Sequence, residues 1–554
     1  MAGIRSWRPG ASWGVAPLSL FLLLLFILPV TGLLMLSFDH PAGPFANYQR
    51  ILTVPVYRTA LTNTFEIAAL VTAICLLISY PLAYLMATVS PSWQRLLAAC
   101  VLLPFWTSAL VRTTAWVILL QRNGVLNAML TGSGLFEQPV AFVYNLSGVL
   151  IGMSHVLMPF VVLPLFAAFR AIDQSVVQAA ETLGAGPFAL CRRLFLPLTA
   201  PGALAGATIV FMSAIGYYLT PALMGGPAQT MVAQLIAFNI NTQLDWGLAA
   251  ALSVVVLAAT LLVFALFQAV FGLDRLAGQG TNGGRSGAGF NGAARGRSPS
   301  GWVVAVLGFL VVAFLLAPVI VVFPMSLGSS PFLSFPPHDL SLRWYTSVLQ
   351  RPQWLAAFWN SLVVAAIAVG CSVPLGTTAA IGLSCMDRRL ARMLETVFVL
   401  PMIVPAIILA VALYYLLAPW GMVSSRFALG LGHTVLATPF VVVTVGAALR
   451  RFDRSLELAA LGLGASWLTM MRRVLLPAIA PGVIASAVFA FVTSFDDVVL
   501  ALFLTNVRSR TLPKLMYEGV AHEIDPTITA VAVLLVLFTA LILAVDLVLE
   551  RRRR

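Results

Sequence analysis

Lysine is nearly missing from this chain: Lys514, in TLPKLM, is the single one among 554 residues. A Walker-type phosphate loop needs a lysine beside its glycines, and Lys514 has no glycine-rich approach, so the sequence excludes ATP binding by this polypeptide itself. Charge is also scarce. Only 9% of residues are charged against 60% hydrophobic, which lies outside the range of soluble domains and puts the chain in the membrane class. The five cysteines (Cys75, Cys100, Cys191, Cys371, Cys385) form no CxxC pair and read as small apolar packing residues rather than disulfides or metal ligands. The five histidines show no ligand spacing. With no nucleophile–base pair and no cofactor loop either, an integral membrane enzyme is disfavoured, and neither cofactor nor metal is expected.

What the chain has instead is long apolar runs. A helix needs about 20 apolar residues to cross the hydrocarbon, and twelve runs qualify: 15–37, 61–88, 96–120, 141–169, 202–222, 248–271, 302–327, 358–384, 394–418, 428–449, 482–503 and 528–549. The prolines within them are tolerated where neighbours satisfy the freed carbonyls. The first run follows Arg5 and Arg8 and is longer than a signal-peptide core, without a small-residue cleavage site, so it is expected to be retained. The fold class is therefore all-α, a polytopic membrane protein.

The net charge of +13 invites a nucleic-acid reading until the charges are placed. With the N-terminus in the cytoplasm, the inner segments hold 22 Lys/Arg, including the terminal RRRR, and the outer segments 10. That agrees with the positive-inside rule, so the basic balance reflects topology and no nucleic-acid partner is expected.

Residues 273–301 are rich in Gly, Ser and Arg with almost nothing to bury, the composition of a flexible tether. They separate two sets of six runs, which gives a parallel repeat. The domains read as 1–56 (N-terminal region with the first span), 57–272 (first membrane domain), the tether 273–301, 302–353 (seventh span and outer loop) and 354–550 (second membrane domain). The repeat is visible residue by residue. QAAETLGAGPFALCRRLFLPLTAPG (178–202) and LAALGLGASWLTMMRRVLLPAIAPG (458–482) share 12 of 25 positions at an offset of 280, among them Leu183/Leu463 and Gly184/Gly464. Arg170 and Asp173 match Arg450 and Asp453 at the same offset, whereas Asn63 pairs with Asn360 and Pro104 with Pro401 at 297. The difference of 17 residues falls in the loop after the third span.

In each half the repeated segment follows the fourth span and lies on the cytoplasmic side. It reads as a short helix, a glycine that permits a sharp change of direction, and a second short helix with Arg192-Arg193 or Arg472-Arg473 near its end. A Leu-Pro pair at Pro197 or Pro477 is expected to stop that helix, and Pro201-Gly202 to open the next span. One reading is an interfacial linker with arginines facing anionic lipid. The other is a pair of matched projections for a two-fold symmetric cytoplasmic partner, which accounts for the same glycine, arginines and prolines recurring in register.

The pattern EAA---G---------I-LP resembles the signature loop of the membrane subunits of binding-protein-dependent ABC importers. That resemblance implies a type I importer permease fold whose coupling residues are Ala179, Ala180, Gly184, Arg192, Arg193 and Pro197, and Ala459, Ala460, Gly464, Arg472, Arg473 and Pro477. The leading acid of the motif is replaced by Gln178 in one half and Leu458 in the other. It further implies an ATP-binding subunit, in two copies, as cytoplasmic partner, a solute-binding protein outside, and an inner-membrane location with both termini cytoplasmic. LLPFWTSALVRTTAWVILLQRNGVLN and LTPALMGGP resemble the first permease of spermidine/putrescine systems, and FVTSFDDVVLALFL the other. Permeases for ferric iron, thiamine, opines or phosphonates are the alternatives, and a stand-alone secondary transporter is a more distant one.

Charges inside spans cost about 2.5–3.5 kcal/mol each on insertion scales and call for a role. Asp496 and Asp497 fall in the fifth run of the second half, and at the same offset the first half has Gly216 and Tyr217, followed by Tyr218. Carboxylates and tyrosine rings, together with Trp106, would make a passage for an organic cation. The competing reading is a structural carboxylate that caps a neighbouring helix. Glu66 and Arg112 lie at similar depth and suggest an ion pair, with an outward-snorkelling Arg112 as its rival.

Overall fold

The computed structural model of the chain describes residues 11–271, 299–331, 337, 339–522, 525–538 and 541. The central tether up to residue 298 and the terminal arginines fall outside the described residues.

Among the described residues, eight helices are long and apolar enough to cross a membrane: Trp13–Leu36, Pro55–Thr88, Pro187–Ile215, Trp246–Phe267, Trp302–Ser326, Pro352–Ser384, Arg426–Arg451 and Trp467–Asp496. Three further runs are helix pairs with a sharp bend. Pro91–Pro104 meets Ala109–Gly132 at 90°, Leu146–Leu157 meets Pro159–Arg170 at 48°, and Arg388–Ile403 meets Ala406–Trp420 at 95°. The twelfth run is represented by Thr527–Phe538.

The two right-angle bends correct the expectation of one straight helix at 96–120 and at 394–418. Hydropathy cannot detect them because both arms are equally apolar. The second bend has a local cause: Val404 precedes Pro405 and is extended, with ψ 128°, as the proline ring requires of its predecessor. In the first bend Thr107 is extended with ψ 141°, and its hydroxyl donates to the Pro104 carbonyl at 2.9 Å.

Contacts divide the chain into two bodies: Met1–Pro44 with Arg351–Tyr517 and Ile542–Arg554, and Phe45–Gln350 with Glu518–Leu541. Within the first body the N-terminal helices pack on Pro352–Ser384 and Ala406–Leu417. Within the second body Pro299–Ser326 packs on Pro55–Thr88, Pro91–Trp106 and Ala109–Leu120. His155 fixes that helix through Nε2, 3.0 Å from the Leu315 carbonyl, and the Trp116 and Phe314 rings meet at 5.1 Å. Each set of repeat helices is thus held by a helix that lies on the far side of the tether in sequence.

That exchange predicts the consequence of cutting the tether. A fragment ending at Gly284 carries the N-terminal helices of one body, and a fragment starting at Arg285 carries the packed helix of the other. Co-expressed, the two should co-purify and support uptake within about twofold of the intact chain. Separate fragments at normal levels, without uptake, would show that the covalent link is needed.

Candidate functional site

The offset of 280 read in the sequence recurs in the helix boundaries. Gln174–Thr182 corresponds to Arg454–Gly462, Pro187–Leu190 to Trp467–Met470, and Cys191–Phe195 to Met471–Leu475. Each first helix is capped by an aspartate: Asp173 Oδ1 accepts from the Ser175 N–H at 2.9 Å, and Asp453 Oδ1 from the Ser455 N–H at 2.9 Å. Those backbone N–H groups, with the serine side chains in second place, hold both carboxyls below their usual range.

The same helices end in left-handed glycines, Gly184 at φ +80° and Gly464 at φ +85°. The following N–H groups reach back to close the turn, from Ala185 to the Ala180 carbonyl at 3.0 Å and from Ala465 to the Ala460 carbonyl at 3.1 Å. This is the Schellman arrangement, which gives the second alanine of each motif a backbone role. Ala179 and Ala459 are exposed, as are Arg192, Arg193, Arg472, Arg473, Pro197 and Pro477. The turn pushes the preceding leucine outward, so that Leu183 and Leu463 are 88% and 90% exposed. Each turn thus presents one large apolar residue outward, at the same place in both halves.

The undersides are anchored. In the first half Val177, Leu190 and Phe195 are buried with Ala83, Ala87 and Phe169, and the Tyr84 and Phe195 rings meet edge-on at 5.5 Å. In the second half Met470, Leu475 and Ile479 are buried with Ala380, Ala437 and Val441. Both segments therefore stand on the C-terminal ends of Pro55–Thr88 and Pro352–Ser384.

The expected stop at Leu-Pro does not occur. Helix continues from Pro187 to Ile215 and from Trp467 to Asp496. A proline inside a helix removes one N–H and crowds the carbonyl four residues back. Here the helix absorbs it by widening to a π turn just upstream, with Leu196 N–H bonding the Cys191 carbonyl and Leu476 N–H the Met471 carbonyl. Pro201-Gly202 opens no span either; it lies inside the helix. A Cβ at Gly202 would stand 2.6 Å from the Ala168 Cβ, and one at Gly482 2.6 Å from the Ala448 Cβ, so these glycines serve a close helix crossing. The second helix of each segment and the fifth span are one continuous helix.

Asp496 and Asp497 are not mid-helix. The fifth-span helix ends at Asp496, and a short helix, Val499–Leu504, follows. Asp497 Oδ2 accepts from the Leu500 N–H at 2.8 Å and lies 3.2 Å from His433 Nε2, an ion-pair distance off the N–H direction. His433 Nδ1 meets Ser494 Oγ at 2.8 Å. At the other end of the short helix, Lys514 Nζ donates to the Thr505 carbonyl at 2.8 Å and the Leu502 carbonyl at 3.3 Å. An anion at the N-terminus and a cation at the C-terminus both suit the helix dipole. Asp497 thus has the capping role that was the competing reading, and the single lysine has a structural task that no sequence signal announced. Asp496 is half-buried at the end of its helix.

In the other body the break falls at the same place, between Leu196–Ile215 and Leu219–Met224, with Tyr217 and Tyr218 half-buried in it. Trp106 ends the helix Pro91–Trp106; its side chain lies outside the described residues. Glu66 and Arg112 do not share an environment: Glu66 is exposed, whereas Arg112 is 4% exposed within Ala109–Leu120, which also removes the snorkelling alternative.

Comparison with known proteins agrees with this architecture. The family described as "Binding-protein-dependent transport system inner membrane component" matches twice, over residues 79–273 and 372–554. The spermidine/putrescine transport system permease protein PotB of Haemophilus influenzae is 35% identical over 225 residues, 40% of this chain and 78% of PotB. The putrescine transport system permease protein PotI of Escherichia coli is 32% identical over 246 residues, 43% of this chain and 86% of PotI. A probable ABC transporter permease, y4fN of Sinorhizobium fredii, is 31% identical over 418 residues, 73% of this chain and 72% of its own length. With the family's region present twice, and with the repeated segment, its glycine turn and its anchoring core inside both copies, this chain belongs to the inner-membrane permeases of binding-protein-dependent ABC transport systems, two of them joined in one polypeptide.

Proposed function

We propose that this permease imports a polyamine-like organic cation, delivered from outside by a solute-binding protein and driven by two copies of a separate ATP-binding subunit inside. The observation that carries the cytoplasmic half of this reading is the pair of matched, exposed glycine turns with their protruding leucines. In this reading Ala179, Ala180, Gly184, Arg192, Arg193 and Pro197 form one coupling surface. Ala459, Ala460, Gly464, Arg472, Arg473 and Pro477 form the other, and both termini are cytoplasmic. Residues 57–272 and 354–550 supply the two halves of the path. ATP-driven approach of the two ATPase copies would move the coupling segments, and the helix continuous with each would alternate the path between inward and outward access.

The cation reading is supported by the substrates for which the relatives PotB and PotI are named and by the half-buried carboxylate of Asp496, with Tyr217, Tyr218 and Trp106 as further candidates for the path. A ferric iron, thiamine, opine or phosphonate cargo would leave the coupling assignment unchanged. The purified chain alone is expected to hydrolyse no ATP, and to acquire hydrolysis only with the ATP-binding subunit. Steady phosphate release by the lone polypeptide in detergent or nanodiscs would overturn the division of labour. Uptake into proteoliposomes, measured with the binding protein loaded with spermidine or putrescine, tests the cargo.

A further inference from the structure

Asn63 and Asn360 first appear as sequence landmarks of the duplication, and the structure gives both the same task. The Asn63 amide donates to the carbonyls of Ala228 at 2.7 Å and Thr230 at 3.2 Å. The Asn360 amide donates to the carbonyls of Arg508 at 3.0 Å and Arg510 at 2.9 Å. With two carbonyl oxygens as partners, the NH2 end of each amide must face them. The next residue adds a second tie: Thr64 Oγ1 accepts from the Val232 N–H at 2.9 Å, and Ser361 Oγ from the Leu512 N–H at 2.9 Å. The helix residues are offset by 297 and the loop residues by 280, so two independent registers meet in the same clamp. The clamped loops follow the short helices Leu219–Met224 and Val499–Leu504, which continue the broken fifth spans.

The other ends of the clamping helices matter equally. Twenty residues after Asn63 comes Ala83, and twenty after Asn360 comes Ala380; both alanines are buried in the cores beneath the coupling segments. Twenty helical residues span about 30 Å, the thickness of the hydrocarbon. Within each body one unbroken helix therefore touches the coupling segment at its inner end and holds the loop behind the broken span at its outer end.

We propose that Asn63 and Asn360 are positioning residues of the transport cycle, which transmit movement of the coupling segments to the outer loops 225–231 and 505–511. The proposal rests on the permease reading. It requires the outer loop to follow the helix, and two hydrogen bonds from a single amide, reinforced by a neighbouring hydroxyl, supply that attachment. Asn→Asp at either position keeps shape but replaces both donors with an anion against two carbonyls.

The test uses the full chain with its ATP-binding subunit and binding protein in nanodiscs, after the five native cysteines are replaced by alanine. Spin labels are placed at Val507→Cys, in the outer loop and 76% exposed, and at Leu456→Cys, on the first coupling helix. In the parent protein ATP with orthovanadate should change the spectra of both labels. With Asn360→Asp, the inner response should stay within twofold of the parent, while the outer response falls at least fivefold and, for the same proteins in sealed proteoliposomes, ATP consumed per solute imported rises at least fivefold. Ser361→Ala, which removes one acceptor and adds no charge, should assemble fully and cut the outer response about twofold, so misfolding of the aspartate variant does not shelter the idea. An outer response equal to the parent's in Asn360→Asp, or in Ser361→Ala if the former fails to assemble, overturns the proposal. A parent protein in which neither label responds overturns the coupling role given to these segments under the proposed function, and this inference with it.

Discussion

Gly184→Val and Gly464→Val are each expected to reduce transport at least a hundredfold while the chain still inserts and accumulates in the membrane. The obstacle is the backbone and not space. A Cβ built at either glycine meets nothing within 4 Å, but the φ values of +80° and +85° lie where L-residues pay about 1–2 kcal/mol and β-branched ones more. Valine would relieve that strain by leaving the left-handed region. The closing bonds to the Ala180 and Ala460 carbonyls would then be lost, and Leu183 or Leu463 would swing away from its present direction. Because the glycines are exposed and the anchoring cores lie beneath them, the membrane helices have no reason to unfold. Gly→Asn at the same positions is the control, since asparagine tolerates left-handed backbone better than other side chains, and it should retain at least a third of the uptake. The measurements are membrane level, co-purification with the ATP-binding subunit, and uptake. A valine variant that co-purifies with the ATPase and transports normally would remove the coupling role from these turns.

The reach of the sequence is clear at these turns. Gly184, the arginine pairs and Pro197 could be placed from internal repetition alone, because two copies at one offset expose what a single apolar chain hides. The direction of the helix at Pro197 could not be read. A Leu-Pro pair looks like a stop until the π turn that absorbs it is seen, since widening a turn leaves no compositional trace. The right-angle bends after Trp106 and Ile403 were hidden for the related reason that hydropathy registers burial and not direction. Asn63 and Asn360 were legible as a pair but silent as a clamp, because their partners are backbone carbonyls, which any sequence supplies. Lys514 and His433 were silent too: each meets a terminus or flank of a six-residue helix that apolar periodicity merges with the long one before it.

Replacing both carboxylates at the second-half break, Asp496→Asn with Asp497→Asn, is expected to cut uptake of a polyamine at least tenfold while loaded binding protein still stimulates ATP hydrolysis. The two positions contribute differently. Asparagine caps a helix nearly as well as aspartate, so at position 497 the bond to the Leu500 N–H survives and the short helix stays in place. Alanine at 497 would instead forfeit about 1 kcal/mol of capping and leave His433 without its carboxylate, so Asp497→Ala should lower protein level along with uptake. At position 496 the substitution removes the charge and keeps the side chain's size and an oxygen acceptor. With an effective dielectric of about 20, a carboxylate about 6 Å from an ammonium is worth about 3 kcal/mol, which corresponds to roughly a hundredfold in occupancy of a site on the path; partial solvation brings the expected loss toward tenfold. The single variant Asp496→Asn should therefore carry most of the uptake defect and none of the assembly defect. An anionic cargo such as a phosphonate would reverse the sign, with neutralisation leaving uptake intact or faster. If the double variant assembles fully and imports spermidine and putrescine at the parental rate, the Asp496 carboxylate is not on the cation's path, and the assignment as an importer is left standing without it.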